Sequence, residues 1–270
     1  MSASASKKSI TRGIALGLVV SFANQKGGVA KTTSAHNIGA ALAKAGKKVL
    51  LIDLDSQASL TIITGKEPAD FSGNIATLLK GGKNADIREC IFPVSENLDL
   101  LPSIIDLAAL EMEMFSKTNR ERILDRAIAP VRGDYDFVFI DCPPQLSILT
   151  VNALSCSDKV ALCVKTEYLA YRGITQLMDT VDDIRELINP RLEVFGVIAT
   201  MHEPRVKTNI EILALIEKEH RVLGVVKRMA AAKKGVYDGL PVVEQDPSSD
   251  VAKEYVKIAQ KFAEEASHGA

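Results

Sequence analysis

Short, near-continuous apolar runs alternate with stretches of helical periodicity along most of the chain. The runs fall at 15–23, 48–53, 98–102, 136–141, 159–164, 192–199 and 222–226. They include "VLLID" and "FVFID" and show no polar/apolar alternation, as expected of parallel strands buried on both faces. Between the first two runs, 32–45 sets Ala35, Ile38, Gly39 and Leu42 at i, i+3, i+4 and i+7, the stripe of a one-sided helix. Further helices are predicted over 147–155, 173–187, 208–219 and 249–266. Such alternation implies right-handed βαβ units. The fold class is therefore α/β: a doubly wound, mostly parallel sheet with helices on both faces. Residues 1–13 read as a flexible tail, 14–270 as one domain, and 66–130 as an insertion of short helices within it.

Composition narrows the function more than the fold. The 270 residues are 47% hydrophobic and 25% charged, with a net charge of −1. That excludes global disorder and a small disulfide scaffold. It also excludes polyanion binding through bulk charge, so any nucleic-acid contact must come from a local patch. Cys90, Cys142, Cys156 and Cys163 form no C-x-x-C pair, and free thiols fit a reducing cytosol. His36, His202, His220 and His268 lack metal-ligand spacing. The apolar run 14–22 is about half of what spans a bilayer and reads as a buried strand, not a signal peptide.

The chemistry is concentrated where the first strand ends. Asn24-Gln25-Lys26-Gly27-Gly28-Val29-Ala30-Lys31-Thr32-Thr33 leads directly into a helix, which is the phosphate-binding arrangement. Successive backbone N–H groups and a helix N-terminus present partial positive charge to an anion. The glycines let the backbone wrap closely around phosphate oxygens. Lys31 reaches terminal phosphates, and the Thr32 hydroxyl is placed to ligate Mg²⁺. Two further motifs follow in order. Asp53 ends the strand in "LLIDLDSQASL", with Asp55 just beyond; Asp141 ends the strand in "FVFIDCPPQLS". Carboxylates at the C-terminal ends of strands lie on the ligand side of an α/β sheet.

The loop departs from G-x-x-x-x-G-K-[ST] at both glycine positions, which hold Gln25 and Ala30. It resembles instead the deviant Walker A form, Lys-Gly-Gly-x-Gly-Lys-Thr, matching it everywhere but Ala30. With "VLLIDLDSQASLT" and "DFVFIDCPPQLSILTVNAL", residues 14–265 resemble the ParA/Soj partition ATPases, a deviant Walker A group of P-loop NTPases that also includes MinD. The resemblance implies an Mg²⁺-dependent ATPase that closes into an ATP sandwich homodimer. It implies that Lys26 reaches the partner's nucleotide and that Lys31 holds the β- and γ-phosphates within the cradle of Gly27, Gly28, Val29 and Ala30. Thr32 would ligate Mg²⁺, Thr33 would bond the α-phosphate, and Asp55 would position the attacking water. Asp53 and Asp141 would act on Mg²⁺ through its waters, with Gln57 and Pro143-Pro144 in the two switch loops. Ala30, Ser56 and Ala58 stand where the family has Gly, Pro and Gly. An alanine is comfortable only at negative φ, so Ala30 is expected to start the helix with φ below zero.

Members differ in the surface on which they assemble. A membrane-surface helix of the MinD kind needs excess cations on its polar face. Here Lys253, Lys257 and Lys261 are set against Glu254, Glu264 and Glu265, so no membrane partner is expected; the MinD-like switch is the alternative reading. Residues 201–235 hold eight cations against four acids, an excess that can bind DNA phosphates without reading sequence. Arg205, Lys227, Arg228, Lys233 and Lys234 are the candidate DNA contacts. The resemblance further implies a ParB-type partner that stimulates hydrolysis, and a cytoplasmic, nucleoid-associated protein.

Overall fold

The computed structural model describes residues 16–229 and 239–268. The tail 1–13 and the candidates Lys233 and Lys234 lie outside them. Strand β1 (Leu18–Ala23) is followed by helix α1 (Lys31–Lys44) and β2 (Val49–Asp53). The middle of the chain adds α2 (Ser59–Ile63), α3 (Ile75–Gly81), β3 (Phe92–Ser95), β4 (Leu98–Leu101), α4 (Leu107–Met114) and α5 (Ile123–Ile128). Then come β5 (Phe137–Asp141), α6 (Ile148–Cys156), β6 (Lys159–Lys165), α7 (Tyr168–Leu187) and β7 (Glu193–His202). The chain closes with α8 (Lys207–Glu219), β8 (Val222–Lys227), α9 (Val242–Gln245) and α10 (Asp250–His268).

The strands form one sheet in the order β3-β4-β2-β5-β1-β6-β7-β8. Every pairing is parallel except that of β3 with β4. The sequence reading missed β3. This four-residue edge strand contains Pro93 and alternates half-buried with exposed positions, the signature of a strand covered on one side only. Helix α7 also begins earlier than expected and runs straight through Gly173.

Side chains alternate between two cores across the central strands. Val19, Leu50, Ile52, Val138 and Ile140 pack on one face with the helices of the middle segment, α6 and α7. Val20, Phe22, Leu51, Phe137 and Phe139 pack on the other with α1 and α10. Helix α1 lies close on the sheet because Gly39 has no side chain; a Cβ there would stand 2.9 Å from Leu51 Cδ2. Val251, Tyr255, Ile258 and Phe262 of α10 are buried. The Phe262 ring meets Phe139 edge-on at 5.4 Å between centroids and Phe195 at 4.7 Å, contacts worth about 0.5–1.5 kcal/mol each beyond area burial. The apolar face that a membrane-surface helix would need is thus committed to the core. No helix among the described residues is long and apolar enough to cross a membrane.

Strand β1 sits between β5 and β6, where the chain's winding changes direction. Ligands of open α/β sheets bind beyond the carboxyl ends of the strands at such a point. The C-terminal ends of β2, β5 and β1 are adjacent there, with Asp53 paired in register to Asp141, and Asp141 to Phe22.

Candidate nucleotide site

The loop between β1 and α1 is anchored at both ends by buried polar side chains. Asn24 Nδ2 donates to the Cys163 carbonyl at 2.6 Å, and Asn24 Oδ1 accepts from the Lys26 N–H at 2.8 Å. From β7, Thr200 Oγ1 donates to the Val29 carbonyl at 3.0 Å. Gly28 has φ +65°, a left-handed turn that costs glycine nothing. Helix α1 opens without a side-chain cap or an acidic residue in its first turn. Its first internal bond runs from Ser34 N–H to the Ala30 carbonyl. The preceding N–H groups of Lys31, Thr32 and Thr33 are left facing the loop, as at any uncapped helix start.

Lys31 is only 6% exposed, and among the described residues its ammonium has one hydrogen bond, to the Lys26 carbonyl at 3.3 Å. A buried ammonium with most of its donors unused is poised for an anion. Lys26 is different: its side chain is exposed and makes no hydrogen bond or ion pair among the described residues. Pro144 approaches the loop closely, within 3.8 Å of where a Gly27 Cβ would stand. The segment after Asp141 therefore borders the phosphate loop.

The two strand-end carboxylates are buried. Asp53 Oδ2 accepts from both Thr61 N–H and Thr61 Oγ1 at 2.8 Å, and Oδ1 accepts from Asp55 N–H at 3.2 Å. Burial pushes its pKa up to about 6 despite these bonds. Asp141 is pushed up to about 8, first by burial and then by the charge of Asp53, offset by the neighbouring Thr32 hydroxyl and Lys31 ammonium. Its Oδ1 is buried without a partner among the described residues. Two buried, adjacent carboxylates with raised pKa values and an orphaned oxygen mark a site short of positive charge. These residues fit a hydrated divalent cation of the Mg²⁺ type, with Thr32 and Asp141 facing it. Asp53 already spends both oxygens on the protein, which limits it to contact through water. Asp55 is half-buried; its Oδ1 accepts from Gln57 N–H at 3.0 Å, which orients the carboxylate at the entrance to α2.

Thr61 was not legible as a site residue. Its hydroxyl also accepts from Ser103 N–H at 3.0 Å, linking Asp53, α2 and the end of β4. Asn24 and Thr200 were missed for the same reason. Their partners lie 139 and 171 residues away in sequence.

The expected conformation of Ala30 is overturned. It is the N-cap of α1 with φ +63° and ψ +31°. Ala58 does the same at the N-cap of α2, with φ +52° and ψ +33°. The loop geometry, pinned through Val29 and the first helical turn, imposes the left-handed conformation on whichever residue stands there. An alanine accepts it at a cost of about 1–2 kcal/mol. Ala30→Gly and Ala58→Gly should each therefore raise stability, by roughly 0.5–1 kcal/mol after the glycine's larger unfolded-state entropy. That corresponds to about 1–4 °C in melting temperature. A lower melting temperature in both variants would contradict the strain.

Of the five candidate DNA contacts, the structure brings three together. Arg205, Lys227 and Arg228 line a depression of about 440 Å³ with His202, Glu203 and Pro204, at the C-terminal ends of β7 and β8. Two of them are not free. Lys227 Nζ pairs with Asp250 Oδ2 at 2.6 Å, and Arg228 Nη1 with Glu203 Oε1 at 2.7 Å. Asp250 lies outside the 201–235 window, so the sequence count overstates the local charge.

Comparison with known proteins agrees with this geometry. Residues 17–194 match the family model described as an AAA domain. The chain is 37% identical over 252 residues to the sporulation initiation inhibitor protein Soj of Bacillus subtilis, covering 92% of this chain and 99% of that one. It is 34% identical over 250 residues to the chromosome-partitioning ATPase Soj of Treponema pallidum, covering 92% and 97%. Among solved structures, a plasmid partition protein of Borrelia burgdorferi is similar at TM-score 0.75 and 29% identity, covering 93% and 99%. Cobyrinic acid a,c-diamide synthase of Mycobacterium smegmatis with bound ATP analogue and magnesium is similar at 0.81 and 32%, covering 94% and 98%. With its deviant Walker A loop, its paired strand-end aspartates and this full-length similarity, the chain belongs to the ParA/Soj family of partition ATPases.

Proposed function

We propose that the chain hydrolyses ATP with Mg²⁺, closes on ATP into a homodimer, and in that state binds DNA nonspecifically. Hydrolysis, stimulated by a ParB-type partner, then releases it, and the cycle segregates DNA or positions another cargo. The observation that carries this reading is the buried, under-bonded Lys31 beside the orphaned Asp141 oxygen, with Lys26 exposed and, among the described residues, unpartnered at the same edge. Lys31, the N–H groups from Gly27 to Thr33 and the uncapped start of α1 would hold the phosphates. Thr32 and Asp141 would face Mg²⁺, which supplies charge neutralisation of the phosphates when bound. Asp55, oriented by Gln57, would align the attacking water, and Lys26 would extend to the nucleotide of the second chain.

The name of the mycobacterial structure suggests amide formation instead. Release of ammonia from glutamine commonly uses a reactive thiolate. All four cysteines here are buried, and burial pushes the Cys142 and Cys163 thiols up to about 12. This chain therefore offers no such nucleophile.

DNA retention tests the reading. With ATP and Mg²⁺ the chain should bind DNA of any sequence, because the described residues of this surface hold no base-reading element. A dimer making roughly four to six phosphate contacts gives a slope of log K against log salt of about −4 to −5. Alanine at Arg205 or Arg228 should weaken retention and leave ATP binding intact. Retention that is unchanged by ADP, or by both substitutions, would contradict the assignment of this surface.

A further inference from the structure

The two ion pairs on the candidate DNA surface carry a consequence for its control. The ends of β7 and β8 are joined by the register pair His202–Lys227 and by the Arg228 N–H donating to the His202 carbonyl at 3.0 Å. This closure sets Glu203 directly against Arg228. Glu203 is itself held: its N–H donates to Asn209 Oδ1 at 3.1 Å, and that oxygen also accepts from Thr166 Oγ1 at 2.9 Å. Asp250, the first residue of α10, is fixed by a helix whose next residues, Val251 and Ala252, are buried in the core, and it meets Lys227. Arg205 alone of the three cations has no such partner among the described residues.

We propose that Glu203 and Asp250 act as built-in competitors of DNA phosphate, each masking one cation of the surface. The inference rests on the reading that this surface binds DNA, and it adds a gate to it. With both pairs formed, the three cations present one unmatched charge. With both pairs opened, they present three. A phosphate must displace a carboxylate from each of Lys227 and Arg228. Both pairs are substantially exposed, with side chains 42–70% accessible, so each is weak and each is readily exchanged for a phosphate. The mask is effective only in number. Two pairs oppose phosphate in a single chain and four in a dimer.

The test is DNA retention at fixed salt for wild type, Glu203→Gln, Asp250→Asn and the double variant, each without nucleotide and with ATP. An exposed pair contributes roughly a threefold factor. Each single variant should therefore bind about tenfold tighter as a dimer, and the double variant approaches a hundredfold. The double variant should also show retention without nucleotide where wild type shows none. Loss of a merely structural contact would not tighten binding. If wild type is retained with ATP but the variants are retained no better in either state, the mask is overturned and the DNA surface stands. If neither wild type nor double variant is retained under any condition, the DNA surface itself is overturned, and the mask with it.

Discussion

Lys31→Ala is expected to abolish tight ATP binding while leaving the fold intact. Lys31 is buried, and its one hydrogen bond goes to a main-chain carbonyl at the outer limit of useful length. In the unliganded protein the Lys31 charge offsets only part of the push on buried Asp141, so the melting temperature without nucleotide should change little. With ATP present the ammonium would face the terminal phosphates in a poorly hydrated site. Truncating one member of such a pair costs about 2–5 kcal/mol, or a loss of affinity of at least about thirtyfold. Calorimetric titration with ATP and Mg²⁺, together with the ATP-induced shift in melting temperature, checks both halves. Undiminished affinity would remove the phosphate-loop assignment.

Lys26→Ala should have an effect as large in a different measurement. Its side chain makes no hydrogen bond or ion pair among the described residues and is exposed at the mouth of the loop. Folding and ATP binding by the single chain should be unchanged. A cation delivered to a neighbour's transferring phosphoryl group is worth roughly 10³–10⁵ in turnover, so hydrolysis should fall by about a thousandfold or more. Asp55→Ala separates the two roles. It should lose turnover comparably and keep the ATP-bound assembly, since a water-orienting carboxylate contributes little to ground-state binding.

The parts of the site carried by contiguous motifs were legible in the sequence because strand ends and glycine turns fix their own placement. Asp53 and Asp141 could be set on the ligand edge of the sheet from "VLLID" and "FVFID" alone. The balanced charges of the last helix likewise argued against a membrane surface, and its residues Val251, Tyr255, Ile258 and Phe262 are buried in the core. What could not be read depends on contacts between distant residues. Thr61 matters because its N–H and hydroxyl both reach Asp53, and nothing in an 8-residue spacing demands that. Asp250 cancels the charge of Lys227 from a different element, so a count over neighbouring residues cannot include it. Ala30 and Ala58 show the opposite failure. For Ala30 side-chain preference pointed to negative φ, yet the anchored loop and the helix start over-determined the backbone, as they also do at Ala58, and local preference lost. β3 escaped because four half-exposed residues with a proline carry too little pattern to register as a strand.

The central claim is that ATP joins two chains through the edge that carries Lys26. Sedimentation equilibrium of the wild type with ATP and Mg²⁺, and again with ADP and Mg²⁺, tests it most directly, with Lys26→Ala alongside. The expected result is the mass of two 29.1 kDa chains with ATP, one chain with ADP, and one chain for Lys26→Ala with either nucleotide. An identical mass for the wild type in both nucleotides, or a full dimer of Lys26→Ala with ATP, would contradict it.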